Sequence, residues 1–174
     1  MFNLESINEY TKAVVAIVIG EYVINMLSKG EGFEHSRKTL DLCWKCIEKW
    51  EMIEDDVIDD LCNCLCSDYD EEFEYYSKIS EDMTSSNIYL LLCGIASYVD
   101  AQVMIEQKEA LPQYLEIVEE DDGYTECILD CIKKINPNYY EDFKLQQVLT
   151  YCQEKQKENE NIRFCKEEIL KISF

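Results

Sequence analysis

Apolar residues recur every three or four positions along most of this chain. The first such stripe consists of Ile7, Tyr10, Val14, Val18, Tyr22 and Met26. This spacing is the period of an amphipathic helix, and it predicts a first helix over about residues 4–28. Lys29-Gly30-Glu31-Gly32 should end that helix, because glycine readily adopts the left-handed conformation at a helix C-terminus. Only two prolines and five glycines interrupt the 174 residues, so long helices are favoured throughout.

Similar stripes predict the elements that follow. A second helix carries Phe33, Leu40, Trp44 and Trp50, and a third runs from about Ile53 to Leu65. Ser67-Asp68 is a good N-cap pair for a fourth helix. Ser85-Ser86-Asn87 should cap the most apolar segment, near residues 87–108. A helix that is apolar on most sides usually lies at the centre of a bundle.

The C-terminal third continues this pattern. A stripe from Tyr124 to Ile135 predicts another helix, and Asn136-Pro137 is a strong helix-start signal. Residues 162–174 fit either a helix or an edge strand, and no alternating strand pattern occurs elsewhere. The predicted fold class is therefore all-α, a single-domain bundle of about seven helices over residues 1–174.

Ten cysteines raise the question of compartment. The N-terminus lacks the positively charged segment of a signal peptide, and the apolar run Ala13–Ile19 is too short to span a bilayer. We therefore expect a cytoplasmic protein with reduced thiols. Most of the cysteines occupy apolar positions of helical stripes, where a free cysteine acts as a small hydrophobic residue.

Candidate chemistry is sparse. Cys43 and Cys46 have redox-motif spacing, but Cys43 lies mid-helix and lacks the helix N-terminus that would lower the pKa of its thiol. Cys62, Cys64 and Cys66 alternate along a helix, so they cannot converge on zinc. The single histidine, His35, is expected to be exposed, and no phosphate-binding or hydrolase motif occurs. We predict a non-enzyme with no catalytic residue, cofactor or metal.

The charge is more informative. The net charge is −21, which argues against a surface that binds nucleic acid or an anionic membrane, since both need Lys and Arg. Residues 51–82 hold 13 acids against the single base Lys78. Like charges so crowded repel one another, and interleaved tyrosines suit a protein interface. The predicted partner-binding residues are Asp55, Asp56, Asp59, Asp60, Tyr69, Asp70, Glu71, Glu72, Glu74 and Tyr75.

The start of the second helix resembles a known family. Gly30-Glu31-Gly32-Phe33-Glu34, followed by Arg37, Leu40-Asp41-Leu42-Cys43-Trp44 and Ile47, is similar to immunity protein family 6 of bacterial polymorphic toxin systems. The stretch Ile88–Tyr98 and the following Leu111-Pro112-Gln113 fit in order. Cys46 departs from the family pattern, which has a second aromatic residue near Trp44. The resemblance covers about residues 10–135.

This resemblance implies an all-α cytoplasmic protein that binds and neutralises a cognate toxin. It also implies that Phe33, Leu40 and Trp44 are fold residues. Together with the charge, it predicts a basic toxin domain as partner, held by stoichiometric contact with the acidic surface. Two alternatives remain open from the sequence: a nucleic-acid mimic that inhibits a nuclease or DNA-binding protein, and a small helical enzyme with a carboxylate-lined pocket.

Overall fold

The structure is a computed structural model that describes residues 6–65, 72–111, 115 and 124–173. Over these residues the chain forms eight α-helices and no strand, which confirms the all-α class. The helices are α1 (Glu9–Ile24), α2 (Glu31–Glu48), α3 (Asp55–Leu65), α4 (Glu72–Ile79), α5 (Met83–Glu106), α6 (Tyr124–Ile135), α7 (Phe143–Glu158) and α8 (Lys166–Ser173). A short 3₁₀ helix, Tyr139–Glu141, precedes α7, and the ambiguous C-terminal segment is helical.

The centre of the fold is α5, as its composition predicts. It packs against α1, α2, α3, α4 and α6. By length and composition alone α5 could cross a membrane. Most of its apolar residues, however, are buried against five neighbouring helices, and Ile88, Ile95 and Val99 are fully inaccessible; Met83, Leu90 and Ile105 are exposed. The apolar character of α5 is therefore that of a core helix.

Capping residues set helix limits that differ from the predicted ones. Helix α1 begins at Glu9 because the Asn8 side chain accepts a hydrogen bond from the Thr11 N–H. It ends at Ile24, before the glycines, and Gly30 is the residue before α2, with extended backbone (φ 166°). The left-handed role predicted for these glycines is thus wrong.

Two predicted helix starts are also wrong, because a nearby aspartate caps the helix instead. Asp82 caps α5 by accepting hydrogen bonds from the Ser85 N–H and hydroxyl, so residues 85–87 lie inside the helix. Asp142 caps α7 in the same way through the Leu145 N–H. Asn136 accepts a hydrogen bond from the Asn138 N–H and forms a turn that precedes the 3₁₀ helix.

A buried carboxylate joins α1 to α2. Glu21 is only 4% exposed. Its two oxygens accept hydrogen bonds from Arg37 Nη1 and Nη2, both at 2.6 Å, and Oε1 also accepts one from Trp44 Nε1 at 2.9 Å. Arg37 and Lys166 both donate to Asp41. One polar network therefore connects α1, α2 and α8.

The helices α1 and α2 approach closely beside this network. A Cβ on Gly20 would lie 2.7 Å from Leu40 Cδ2 and 3.4 Å from side-chain atoms of Leu92 and Ile95. Glycine therefore leaves room for Leu40 at the meeting point of α1, α2 and α5. Leu40 and Trp44 are each 1% exposed, as the family resemblance implies for core residues.

Glu21 should be essential for stability. We expect Glu21→Gln to lower the free energy of unfolding by about 3 kcal/mol, because the change removes the buried acid of an ion pair and leaves Arg37 with Asp41 as its remaining acidic partner. Urea denaturation followed by circular dichroism measures the loss.

The matched control is Asp130→Asn, which removes the same charge from an exposed pair with Lys133. Exposed pairs contribute little, so this variant should unfold like the wild type. Equal losses in the two variants would contradict the role given to Glu21.

Candidate partner-binding surface

Helix α3 places four carboxylates on the protein surface. Its sequence alternates pairs of acidic and apolar residues, so Val57, Ile58 and Leu61 are buried while the aspartates are exposed. We call Asp55, Asp56, Asp59 and Asp60 the α3 carboxylates. They form no ion pair with any residue that the structure describes.

The spacing of the α3 carboxylates makes them repel one another. Asp55 and Asp59, like Asp56 and Asp60, are four residues apart, and like charges at that spacing destabilise a helix slightly. Asp55 and Asp56 lie in the first turn, where the helix dipole offsets part of this cost. Asp59 and Asp60 lie beyond that turn, so their charges have no such compensation.

The acidic residues of α4 are in a different situation. Glu74 pairs with Lys78 at 2.6 Å, and Glu72 contacts His35 at 2.5 Å. Tyr75 is 51% exposed. Helix α4 packs against α3, so the predicted residues that the structure describes lie on two neighbouring helices. Tyr69, Asp70 and Glu71 lie outside the described residues.

Other acids of the same region have structural partners. Glu51 forms an ion pair with Arg163, Glu54 pairs with Lys49 at 2.6 Å, and Asp82 caps α5. Several of the described acids in residues 51–82 therefore have a partner in the fold, which the α3 carboxylates lack. The sequence did not show two of these pairings, because Arg163 lies 112 residues from Glu51 and His35 lies on a different helix from Glu72.

His35 is largely buried, and the prediction that it is exposed is wrong. Its side chain is 11% exposed, its ring lies 4.7 Å from that of Phe73, and Nδ1 lies 2.5 Å from a Glu72 oxygen. Nε2 is buried without a hydrogen-bond partner in the described part of the chain. This arrangement fits a neutral ring that donates from Nδ1 to Glu72.

Burial lowers the pKa of His35, with the Glu72 carboxylate and the Cys64 backbone acting in the opposite direction. The folded pKa thus lies below the unfolded value of about 6.5. The unfolded chain takes up the proton first as the pH falls, so acidification favours unfolding at this residue.

The cysteines with redox or zinc spacing are buried or half-buried wherever the structure describes them. Cys43 and Cys46 lie within α2 and are fully buried, and burial raises the pKa of Cys46 to about 12. Cys64 is buried, Cys62 is half-buried, and Cys66 lies outside the described residues. Among the residues that are described, no three His, Cys, Asp or Glu side chains are grouped so as to hold a metal ion.

A polar cleft was not foreseen from the sequence. It has a volume of about 380 Å³ and lies between the start of α2, the end of α4 and the start of α5. Tyr76 and Tyr89 line it, together with the backbone at Gly32. A larger groove of about 500 Å³ between α7 and α8 is lined by Phe143, Tyr151 and Ile172. The α3 carboxylates line neither cavity.

His35 should make stability depend on pH. Relative to a His35→Gln variant, the wild type should lose unfolding free energy between pH 7.5 and pH 5. Its contribution is complete above about pH 6.5 and declines towards the lower folded pKa. Denaturant titrations of both proteins at the two pH values measure this difference, and the other titrating groups cancel. A difference that stays constant, or that grows in favour of the wild type on acidification, would contradict a neutral buried His35.

Comparison with known proteins connects this architecture to a family. The family described as Immunity protein Imm6 matches residues 11–135, well over half of the chain. The matched segment extends from the first turn of α1 to the end of α6, and so contains the Glu21 network, the α3 carboxylates and the polar cleft. Comparison with curated proteins and with solved structures gave no match. The expectation raised by the start of the second helix is confirmed: the chain belongs to the Imm6 family of immunity proteins.

Proposed function

We propose that this protein neutralises a cognate toxin by binding it stoichiometrically in the cytoplasm of the producing cell, with the α3 carboxylates as part of the contact surface. Membership of the Imm6 family supports the toxin-immunity role. The binding mode rests on the α3 carboxylates themselves: they are exposed, close to one another along one helix, and without basic partners among the described residues.

A basic partner would relieve the repulsion within α3. Binding of Lys or Arg side chains there would replace like-charge contacts by opposite-charge ones. Complementary charge also accelerates diffusional encounter, which reaches about 10⁸–10⁹ M⁻¹s⁻¹ in strongly steered pairs at low salt. Fast association suits a protein that must act before the toxin causes damage.

The geometry gives less support to the two alternatives. A nucleic-acid mimic needs carboxylates along an extended row, whereas an eleven-residue helix such as α3 is only about 16 Å long. A carboxylate-dependent enzyme needs free acids that converge in a cavity. The α3 carboxylates line neither the cleft nor the groove, and of the three acids that line the cleft, Asp82 is engaged as the cap of α5. The direct discriminator is whether duplex DNA or the toxin domain competes for the same surface.

Co-expression tests the immunity role. The toxin domain encoded beside this gene should stop growth when expressed alone, and growth should be restored when this protein is produced with it. Mixing the purified proteins should give a one-to-one complex by analytical ultracentrifugation. Growth arrest that persists despite abundant folded protein would contradict the proposed function.

Charge reversal tests the contribution of α3. Asp59→Lys with Asp60→Lys should slow association with the toxin about tenfold at low salt, because steering depends on the local charge. The dissociation rate should change much less. Asp59 and Asp60 are chosen because they have no second role in the described part of the fold. Reversing Asp55 or Asp56 would also remove a favourable interaction with the helix dipole, and reversing Glu72 would remove its contact with His35. Stopped-flow measurements at several salt concentrations would give both rates.

The matched control is Glu141→Lys with Glu160→Lys, two exposed residues of the C-terminal part. Both double variants change the net charge equally, so the control separates local from global charge. The deficit of the α3 variant should shrink as salt screens the charges. Equal association rates for the two double variants would place the binding surface away from α3.

A further inference from the structure

Gly32, in the wall of the polar cleft beside α4, leaves room for the Tyr89 side chain. A Cβ at Gly32 would lie 2.5 Å from Tyr89 Oη and 3.0 Å from Tyr76 Cδ1, so any larger residue would push into both rings. The two rings lie 5.6 Å apart, tilted by 35°. The cleft therefore has an aromatic wall next to a stretch of helix that has no side chain.

One hydroxyl in the cleft has no partner. Tyr89 is 9% exposed, and its hydroxyl makes no hydrogen bond with the described residues. The side chain nonetheless lines the cleft. The hydroxyl oxygen is open to the cleft rather than sealed from solvent, so a ligand in the cleft can donate a hydrogen bond to it.

The charges around the cleft select a cation. Glu31, Glu81 and Asp82 line it, and its described lining contains no Lys, Arg or His. Burial raises the pKa of Tyr76 and Tyr89, and nearby carboxylates act in the same direction: Glu72 and Glu31 on Tyr76, and Asp82 on Tyr89.

The neighbouring helix ends do not favour an anion. A free helix N-terminus attracts negative charge, but α2 already carries Glu31 and Glu34 in its first turn. The N-terminus of α5 is capped by the Asp82 carboxylate. Of the two bases nearest along the chain, Lys29 lies over the Phe33 ring at 3.2 Å and Lys78 pairs with Glu74.

We propose that this cleft binds a guanidinium group, supplied by an arginine side chain of the partner protein. A planar guanidinium stacks on aromatic rings and presents five N–H donors. Those donors match the Tyr89 oxygen and the carboxylates at the rim. A lysine ammonium has fewer donors and no planar face. This inference rests on the proposed function for the identity of the partner.

The site can be tested without the toxin. Full-length protein, labelled with ¹⁵N, is titrated with N-acetyl-arginine-N-methylamide, and N-acetyl-citrulline-N-methylamide serves as the neutral probe of nearly equal shape. The arginine probe should shift amide signals around Gly32, Tyr76 and Tyr89, with a Kd on the order of 1 mM for a compound of this size. The citrulline probe should bind at least fivefold more weakly.

Variants locate the site. Glu31→Gln with Glu81→Gln should weaken binding of the arginine probe at least fivefold, and Tyr89→Phe should weaken it while keeping the ring. Asp59→Asn with Asp60→Asn makes the same change of charge on α3 and should leave probe binding unchanged. Circular dichroism and thermal unfolding verify that each variant is folded.

Each outcome has a defined meaning. Equal binding of the two probes, or equal binding of the arginine probe by the wild type and the Glu31/Glu81 variant, would overturn the cleft assignment. Retention of full toxin affinity by that variant would overturn the arginine partner. If the wild type binds the arginine probe but neither binds the toxin nor rescues growth, the guanidinium site stands and the proposed function is wrong.

Discussion

The position of α2 depends on one buried carboxylate. Glu21 on α1 binds both terminal nitrogens of Arg37 and the indole of Trp44, so it fixes α2 at two points almost two helical turns apart. Burying a charge is costly unless it is fully paired, and here the carboxylate has three donors. The pairing therefore defines a single orientation of α2 on α1. Gly20, next to it, lets Leu40 approach in that orientation.

The features assigned to partner binding depend on α2. His35 on α2 contacts Glu72 and packs on Phe73 and Tyr76, so it helps to hold α4. Gly32, at the start of α2, leaves the space for Tyr89. Helix α3 packs on α2 and α5, which turns its four aspartates outwards. The α3 carboxylates and the polar cleft thus lie on elements that both adjoin α4.

The sequence was sufficient for the class of fold because helical periodicity is a local property. Composition predicted the central α5, and the resemblance to the immunity family implied that Leu40 and Trp44 are core residues. Helix limits were less accurate, because Asp82 and Asp142 compete with other good capping residues nearby, and only the folded chain decides between them. Asn136-Pro137 shows the same problem: its sequence is typical of a helix start, but in the fold it forms a turn.

The candidate site was harder to predict because it depends on pairing between distant residues. In the sequence, Glu21 only follows an apolar run. A carboxylate buried at the end of such a run requires a basic partner. His35 was expected to be exposed because it lies at a helix start, and its burial depends on Glu72 and Phe73 of α4, more than 35 residues further on. The division between structural acids and the α3 carboxylates also needed the positions of Arg163, Lys49 and His35. The polar cleft came from three separate segments and had no local signature.

The central claim is that α3 and the adjacent α4 region contact the toxin. Amide hydrogen exchange of the full chain, measured with and without the purified toxin domain, tests it most directly. Slower exchange should appear in peptides covering residues 55–65 and 72–89 when the complex forms. Slower exchange confined to residues 143–173, with α3 and α4 unchanged, would contradict it.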